Sequence, residues 1–163
     1  MNRIRYSTPA NVHYIKVPSS IYELDSMTSA EKLLLGKIMN IEETGGDCYY
    51  RNKTLAKMIG MSEKSVKDAI NCLDFIGFVE IYHNINGRMI PRQECKRADM
   101  QATTRYIYLS SWQKIEYLIS RYDEFKKEYN NENKHIVISE NKIKYLVNGN
   151  MLLTEPTVKY GNR

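Results

Sequence analysis

Between Cys48 and Ile81 the chain reads CYYRNKTLAKMIGMSEKSVKDAINCLDFIGFVEI, a stretch that leaves room for two short helices joined by a turn of a few residues. Leu55, Ala56 and Ile59 recur at helical spacing, Asn52 is placed to cap the start, and Gly60 is free to take the left-handed position that closes a helix. After Met61, Ser62 is a second N-cap. Val66, Ala69, Ile70 and Leu73 then follow at i, i+3, i+4 and i+7 until Gly77 stops the run.

At about 100° per residue, the buried stripe of the second helix leaves Lys64, Asp68, Asn71 and Phe75 near the middle of its opposite face, with Lys67 and Ser65 on the flanks. Two short helices around a tight turn, the second with a polar outer face, are the layout of a helix-turn-helix. Short hydrogen-bonding side chains on such a face can read base edges in a major groove. An alternating run, FVEIYH, comes next and a second, RYIYLS, spans Arg105 to Ser110, so two strands are expected after the helices. Between them Asn84 to Thr104 carries Arg88, Arg92, Lys96 and Arg97 against Glu94 and Asp99, with Asn86-Gly87 as a tight turn. This predicts a long basic wing and an α+β winged helix-turn-helix, a three-helix core plus a β-wing.

The lead-in YIKVPSSIYELDSMTSAEKLLLGKI together with GDCYYRNKTLAKMIGMSEKSVKDAINCLDFIGFVEI resembles the winged helix-turn-helix domains near the N-termini of plasmid and phage replication proteins of low-GC bacteria. The likeness spans Tyr14 to Ile81, somewhat under half the chain. It implies duplex DNA as partner, a role in replication or maintenance of a mobile element, and contacts with replication proteins. Transcription regulators share the signature. The wing is longer than the short hairpin of that family, and nothing resembling it follows Ser110.

Each candidate residue has a plainer reading beside the functional one. Lys64 and Asp68, at i and i+4, could be a surface ion pair. Asn71 is the choice for a base contact, because Asn pairs bidentately with adenine. Arg51, Lys53 and Lys57 would touch phosphates, or simply form a solvated face. Phe75 suits packing under the wing or against a partner better than DNA.

Charge supports a nucleic-acid partner without requiring one: the net charge is +5 and the pI near 9.0. Residues 51–105 hold ten basic against six acidic side chains, whereas residues 1–50 hold five against six. Three cysteines, Cys48, Cys72 and Cys95, have neither disulfide nor zinc spacing and read as reduced thiols. His13, His83 and His135 lack partners at triad or metal spacing, and no Gly-rich phosphate loop is present. Neither catalysis, nor a cofactor, nor a metal is expected. No membrane span or signal peptide is legible, so a cytoplasmic location is expected.

Asn11 to Val17 alternates like a strand, and Ser26 to Thr28 offers caps for a first helix, Ser29 to about Ile41, burying Leu33, Leu34, Ile38 and Ile41. Cys48 to Arg51 is a further short strand for the wing sheet. After Ser110 a single helix to Tyr129 is predicted, with Trp112, Ile115, Leu118, Ile119, Tyr122, Phe125 and Tyr129 on one face. That stripe is either a homodimer contact or is closed over by strands at His135–Ser139 and Ile143–Leu153. The division expected is a DNA-binding domain over residues 1–110 and a C-terminal extension over 111–163. A repressor, or a protein–protein adaptor with a winged helix, are the alternative functions.

Overall fold

The computed structural model describes residues 14–101 and 103–133. A first short helix, α1 (Ser19–Tyr22), starts after Pro18 and buries Ile21. The chain then enters α2 (Ser29–Glu43) through a capping box: the Glu31 N–H donates to the Thr28 hydroxyl at 3.2 Å and the Thr28 N–H donates to the Glu31 carboxylate at 3.0 Å. Leu34, Leu35 and Ile38 are fully buried, while Leu33 and Ile41 are only partly covered, so the inner face of α2 is turned toward Leu35 from the one expected. The expected strand ends differently as well. Residues 14–17 carry no strand and lie across α2, where a Cβ on Gly36 would come within 2.7 Å of the Lys16 carbonyl. Residues 11–13 lie outside the described residues.

Helices α3 (Asn52–Ile59) and α4 (Glu63–Ile76) form as the glycines require. Gly60 takes φ +69°, and the Met61 N–H reaches back to the Ala56 carbonyl at 3.0 Å. Ser62 caps α4, accepting from the Ser65 N–H at 3.1 Å, and Gly77 ends it at φ +104°. Asn52, however, does not cap α3. Arg51 occupies that position with no side-chain bond, and the Asn52 amide oxygen is taken by Arg105 instead.

The sheet has three antiparallel strands, β1 (Val79–Ile85), β2 (Arg88–Pro91) and β3 (Thr104–Leu109), in the order β2-β1-β3, so a strand inside the wing is added to the two expected after the helices. Asn86 and Gly87 both have positive φ, 52° and 79°, and join β1 to β2 through a two-residue turn that the Gly87 N–H anchors on the Asn84 side chain at 3.0 Å. The wing is therefore a hairpin followed by a 3-10 turn (Arg92–Glu94) and a short helix α5 (Arg97–Gln101). Its hydrogen-bonding potential is used locally, because a twelve-residue return between β2 and β3 has backbone groups to satisfy. The Cys48–Arg51 strand reduces to one bridge, Cys48 to Ile107.

Ser111 caps α6 (Trp112–Ser120), accepting from the Lys114 N–H, and the predicted single helix breaks at Arg121 before α7 (122–133). The break lets one apolar stripe wrap around the core. Ile115, Leu118 and Tyr122 belong to the same buried cluster as Leu34, Leu73 and Phe78, with Ile119, Phe125 and Tyr129 packed on its margin. The stripe expected as a free dimer face is thus used by the chain itself, and of its seven residues Trp112 alone is exposed. The strands predicted beyond residue 133 lie outside the described residues. The architecture is α+β, a winged helix-turn-helix with a C-terminal helical pair.

Candidate nucleic-acid interface

The outer surface of α4 is narrower than the helical wheel implies, because both of its shoulders are occupied. On one shoulder, Asp74 holds Arg92 of the wing at 3.3 Å. Burial raises the Asp74 carboxyl above its ordinary range, with Arg92 acting against that rise. On the other shoulder lies α7: the Phe75 ring meets that of Tyr129 at 5.4 Å, and the Cys72 thiol accepts from the Lys126 ammonium at 3.4 Å. Ser65 and Asp68 line a cleft of about 480 Å³ shared with Lys126, Tyr129 and Asn133. Between the shoulders, Lys64 and Lys67 stand exposed with the half-buried Asn71. Lys64 and Asp68 form no ion pair within 4.0 Å, so the surface-pair reading is not realised.

Burial of Val66, Ala69, Ile70, Leu73 and Ile76 is what orients this strip, since turning α4 would expose five apolar side chains at about 25 cal/mol per Å² each. Phe75 packs against α7 and not under the wing, which removes it from the free surface only in part, as it is still 42% exposed.

The structure disperses the four wing cations that the sequence placed in one loop. Arg88 is exposed at the start of β2, Arg92 turns back to Asp74, and Lys96 and Arg97 are exposed at the entry to α5. Arg51 and Lys53 sit at the start of α3, and Lys57 is exposed in its last turn.

Arg51 and Lys53 border a cleft of about 690 Å³ between α3, the start of α4 and the sheet. At its back is Arg105, which donates to the Asn52 side chain and to the Tyr50 carbonyl, both at 2.9 Å. Burial lowers the pKa of that guanidinium. Arg105 touches nothing outside the fold; it is a positioning residue that ties the start of α3 to β3. The alternation of β3 could have pointed to it. Arg105, Ile107 and Leu109 share one face, and an Arg in register with a buried Ile must find acceptors.

His83, beside the same cleft, is buried and shares a 3.0 Å hydrogen bond with Thr103. Burial, with Arg92 and Arg105 nearby, holds its pKa below the usual value. His13 and His135 lie outside the described residues. Cys48, Cys72 and Cys95 are free thiols, the first two buried. No group of three or more His, Cys, Asp or Glu among the described residues could hold a metal ion, and no described helix is long and apolar enough to cross a membrane.

Against known protein families, residues 26–74 match the one described as "Helix-turn-helix domain". That segment is a helix-turn-helix domain. The match opens just before the α2 capping box and closes at Asp74, so it covers the three core helices and stops short of the sheet. No curated protein and no solved structure matches the chain. Within that segment α3 and α4 form the helix-turn-helix unit, with α4 as its second helix, in the place of a recognition helix.

Proposed function

We propose that this helix-turn-helix protein binds duplex DNA, inserting the Lys64, Lys67 and Asn71 strip of α4 into the major groove. The observation that carries this reading is that strip: two exposed ammonium groups and one amide, backed by a rigid buried stripe and free of acidic partners within ion-pair reach. Lysines supply phosphate attraction and Asn71 supplies the base-reading edge. Arg51 and Lys53 at the start of α3, Lys57 at its end, and Arg88, Lys96 and Arg97 of the wing add backbone contacts. Ser65 and Asp68, on the α7 side of the helix, border the strip.

The finer role follows the resemblance of residues 14–81: replication or maintenance of a plasmid, phage or other mobile element, in company with replication proteins. The alternative of transcriptional repression uses the same interface. Gel shifts against the intergenic DNA of the chain's own genetic element, compared with random duplex, test the common reading. Preferential binding that Asn71→Ala abolishes supports it, and equal binding to both DNAs counts against base readout. A protein–protein adaptor would want an acidic or apolar outer face on α4; that face carries Lys64, Lys67 and Asn71 beside Asp68, and its apolar residue Phe75 packs on Tyr129, which weighs against that reading.

A further inference from the structure

The surface of the sheet that faces away from the helical core is built of rings. Cross-strand partners share a face, so the register Glu80 to Tyr108 and Tyr82 to Tyr106 puts these four side chains together, and Tyr82 to Pro91 and Asn84 to Met89 extend the same face onto β2. Val79, Ile81 and His83 point the other way, into the core. Tyr106 and Tyr108 stack at 6.2 Å with 8° between their planes. Tyr82 meets Tyr108 edge-on at 6.0 Å, and Tyr49 joins Tyr106 at 6.2 Å. Tyr49 is 52% exposed and Met89 40%.

The charge that the strands bring to this face is one-signed, although at Tyr49 its edge borders the cleft lined by Arg51 and Lys53. None of the three strands contributes a Lys or Arg to it; Arg88 pairs with Ile85 and Arg105 with His83, both on the opposite face. Glu80 stands among the rings, 3.3 Å from the Tyr82 hydroxyl, and its field is the main cause of that phenol's raised pKa. Asp47 and Glu42 act in the same direction on Tyr108, after burial. A platform for single-stranded nucleic acid combines rings with cations that follow the phosphates. Here the rings come with carboxylates. A second copy of the same face would bring more carboxylates and no strand Lys or Arg to pair with them.

We propose that the Tyr49–Tyr82–Tyr106–Tyr108 face docks a partner protein through a segment in which Arg or Lys alternates with apolar side chains. The cations lie over the tyrosine rings and pair with Glu80 and Asp47, and the apolar residues cover Met89 and Pro91. It does not rest on the DNA-binding reading, since α4 is on the other side of the sheet's core.

The probe is a short fluorescein-labelled peptide of alternating Arg and Leu, titrated into the full chain and followed by anisotropy, with a Glu–Leu peptide and oligothymidylate as comparisons. The expected result is saturable binding of the Arg–Leu peptide alone, although the chain's net charge of +5 repels it in general. The affinity should fall roughly tenfold in Tyr106→Ser and in Glu80→Lys, which keeps every ring, while duplex DNA binding stays unchanged. Absence of saturable binding, or equal binding of the Glu–Leu peptide, overturns the proposal. So does oligothymidylate binding that Tyr106→Ser removes, which would make the face a nucleic-acid platform. Concentration-dependent dimerisation in sedimentation, lost in Tyr106→Ser, would assign the face to a second copy and overturn it equally.

Discussion

The Tyr122 hydroxyl donates to the Glu31 carboxylate at 2.7 Å, joining α7 to the first turn of α2 across 91 residues of chain. Lys126, one turn further along α7, pairs with the other oxygen of the same carboxylate, and the Thr28 N–H completes the set. A carboxylate that caps its own helix is thereby the anchor of the C-terminal helical pair.

Breaking that anchor should destabilise the whole fold, because Glu31 is only 2% exposed and would keep a buried charge. Lys126→Met is expected to cost about 3–5 kcal/mol, the usual result of stripping one partner from a buried pair. Tyr122→Phe, which keeps the ring against Phe78 and removes one bond to a charged group, should cost about 1.5–3 kcal/mol. Urea unfolding of both variants measures the two losses. A cost under about 1 kcal/mol for Lys126→Met would mean that α7 is not held by this cluster.

Alkali should weaken the fold beginning near pH 9. Burial pushes the Cys48 thiol from 9.0 up to about 11 and the Cys72 thiol from 9.0 up to about 12, with Glu31 adding to the latter. Burial and Glu31 likewise raise the Tyr122 phenol. Burial works against the Lys126 charge, but its bond to Glu31 more than offsets this and its pKa is raised too. In each case the folded protein keeps a proton that the unfolded chain releases, so stability is complete below the unfolded value and declines as pH rises toward the folded one. Thermal midpoints under reducing conditions should fall steadily from pH 9 to 11, and Cys72→Ala should reduce the fall. A flat profile over that window refutes this account.

Binding to duplex DNA should weaken steeply with salt, by a slope of about −0.9 in log–log terms for each phosphate neutralised. Asn71→Ala is expected to cost roughly 1–3 kcal/mol on the preferred site and little on random DNA, whereas Lys57→Ala should weaken both alike. Anisotropy titrations at several salt concentrations separate the two. Identical losses for both variants on both DNAs would remove Asn71 from base readout.

Within the wing, Arg88 and Arg92 should behave differently, because Arg92 is tethered to Asp74 while Arg88 stands exposed at the start of β2. Arg88→Ala is expected to flatten the salt slope by about 0.9 with the thermal midpoint unchanged. Arg92→Ala should leave the slope nearly intact and cost up to about 1 kcal/mol of stability, since its partner Asp74 anchors the wing to α4 at a partly exposed site. If Arg92→Ala flattens the slope as Arg88→Ala does, the Asp74 tether opens when DNA binds.

Local order in the chain was sufficient to determine the helix-turn-helix. Gly60 and Gly77 adopt positive φ, Ser62 caps α4, Asn86-Gly87 makes the hairpin turn, and the Val66–Leu73 stripe is buried, because each depends on interactions within a few residues. Tertiary structure alone decided the rest. Asn52 left its capping role because Arg105, distant in sequence, needed a buried acceptor. The stripe from Ile115 to Tyr129 is equally apolar whether it meets a second chain or its own; a break at Arg121 and the Glu31 carboxylate turned it inward. The breadth of the DNA-facing strip on α4 was likewise invisible, since a helical wheel reports which side chains point outward and says nothing of the elements that pack on its shoulders. Periodicity records what one element hides; only the packed chain shows what its neighbours leave uncovered.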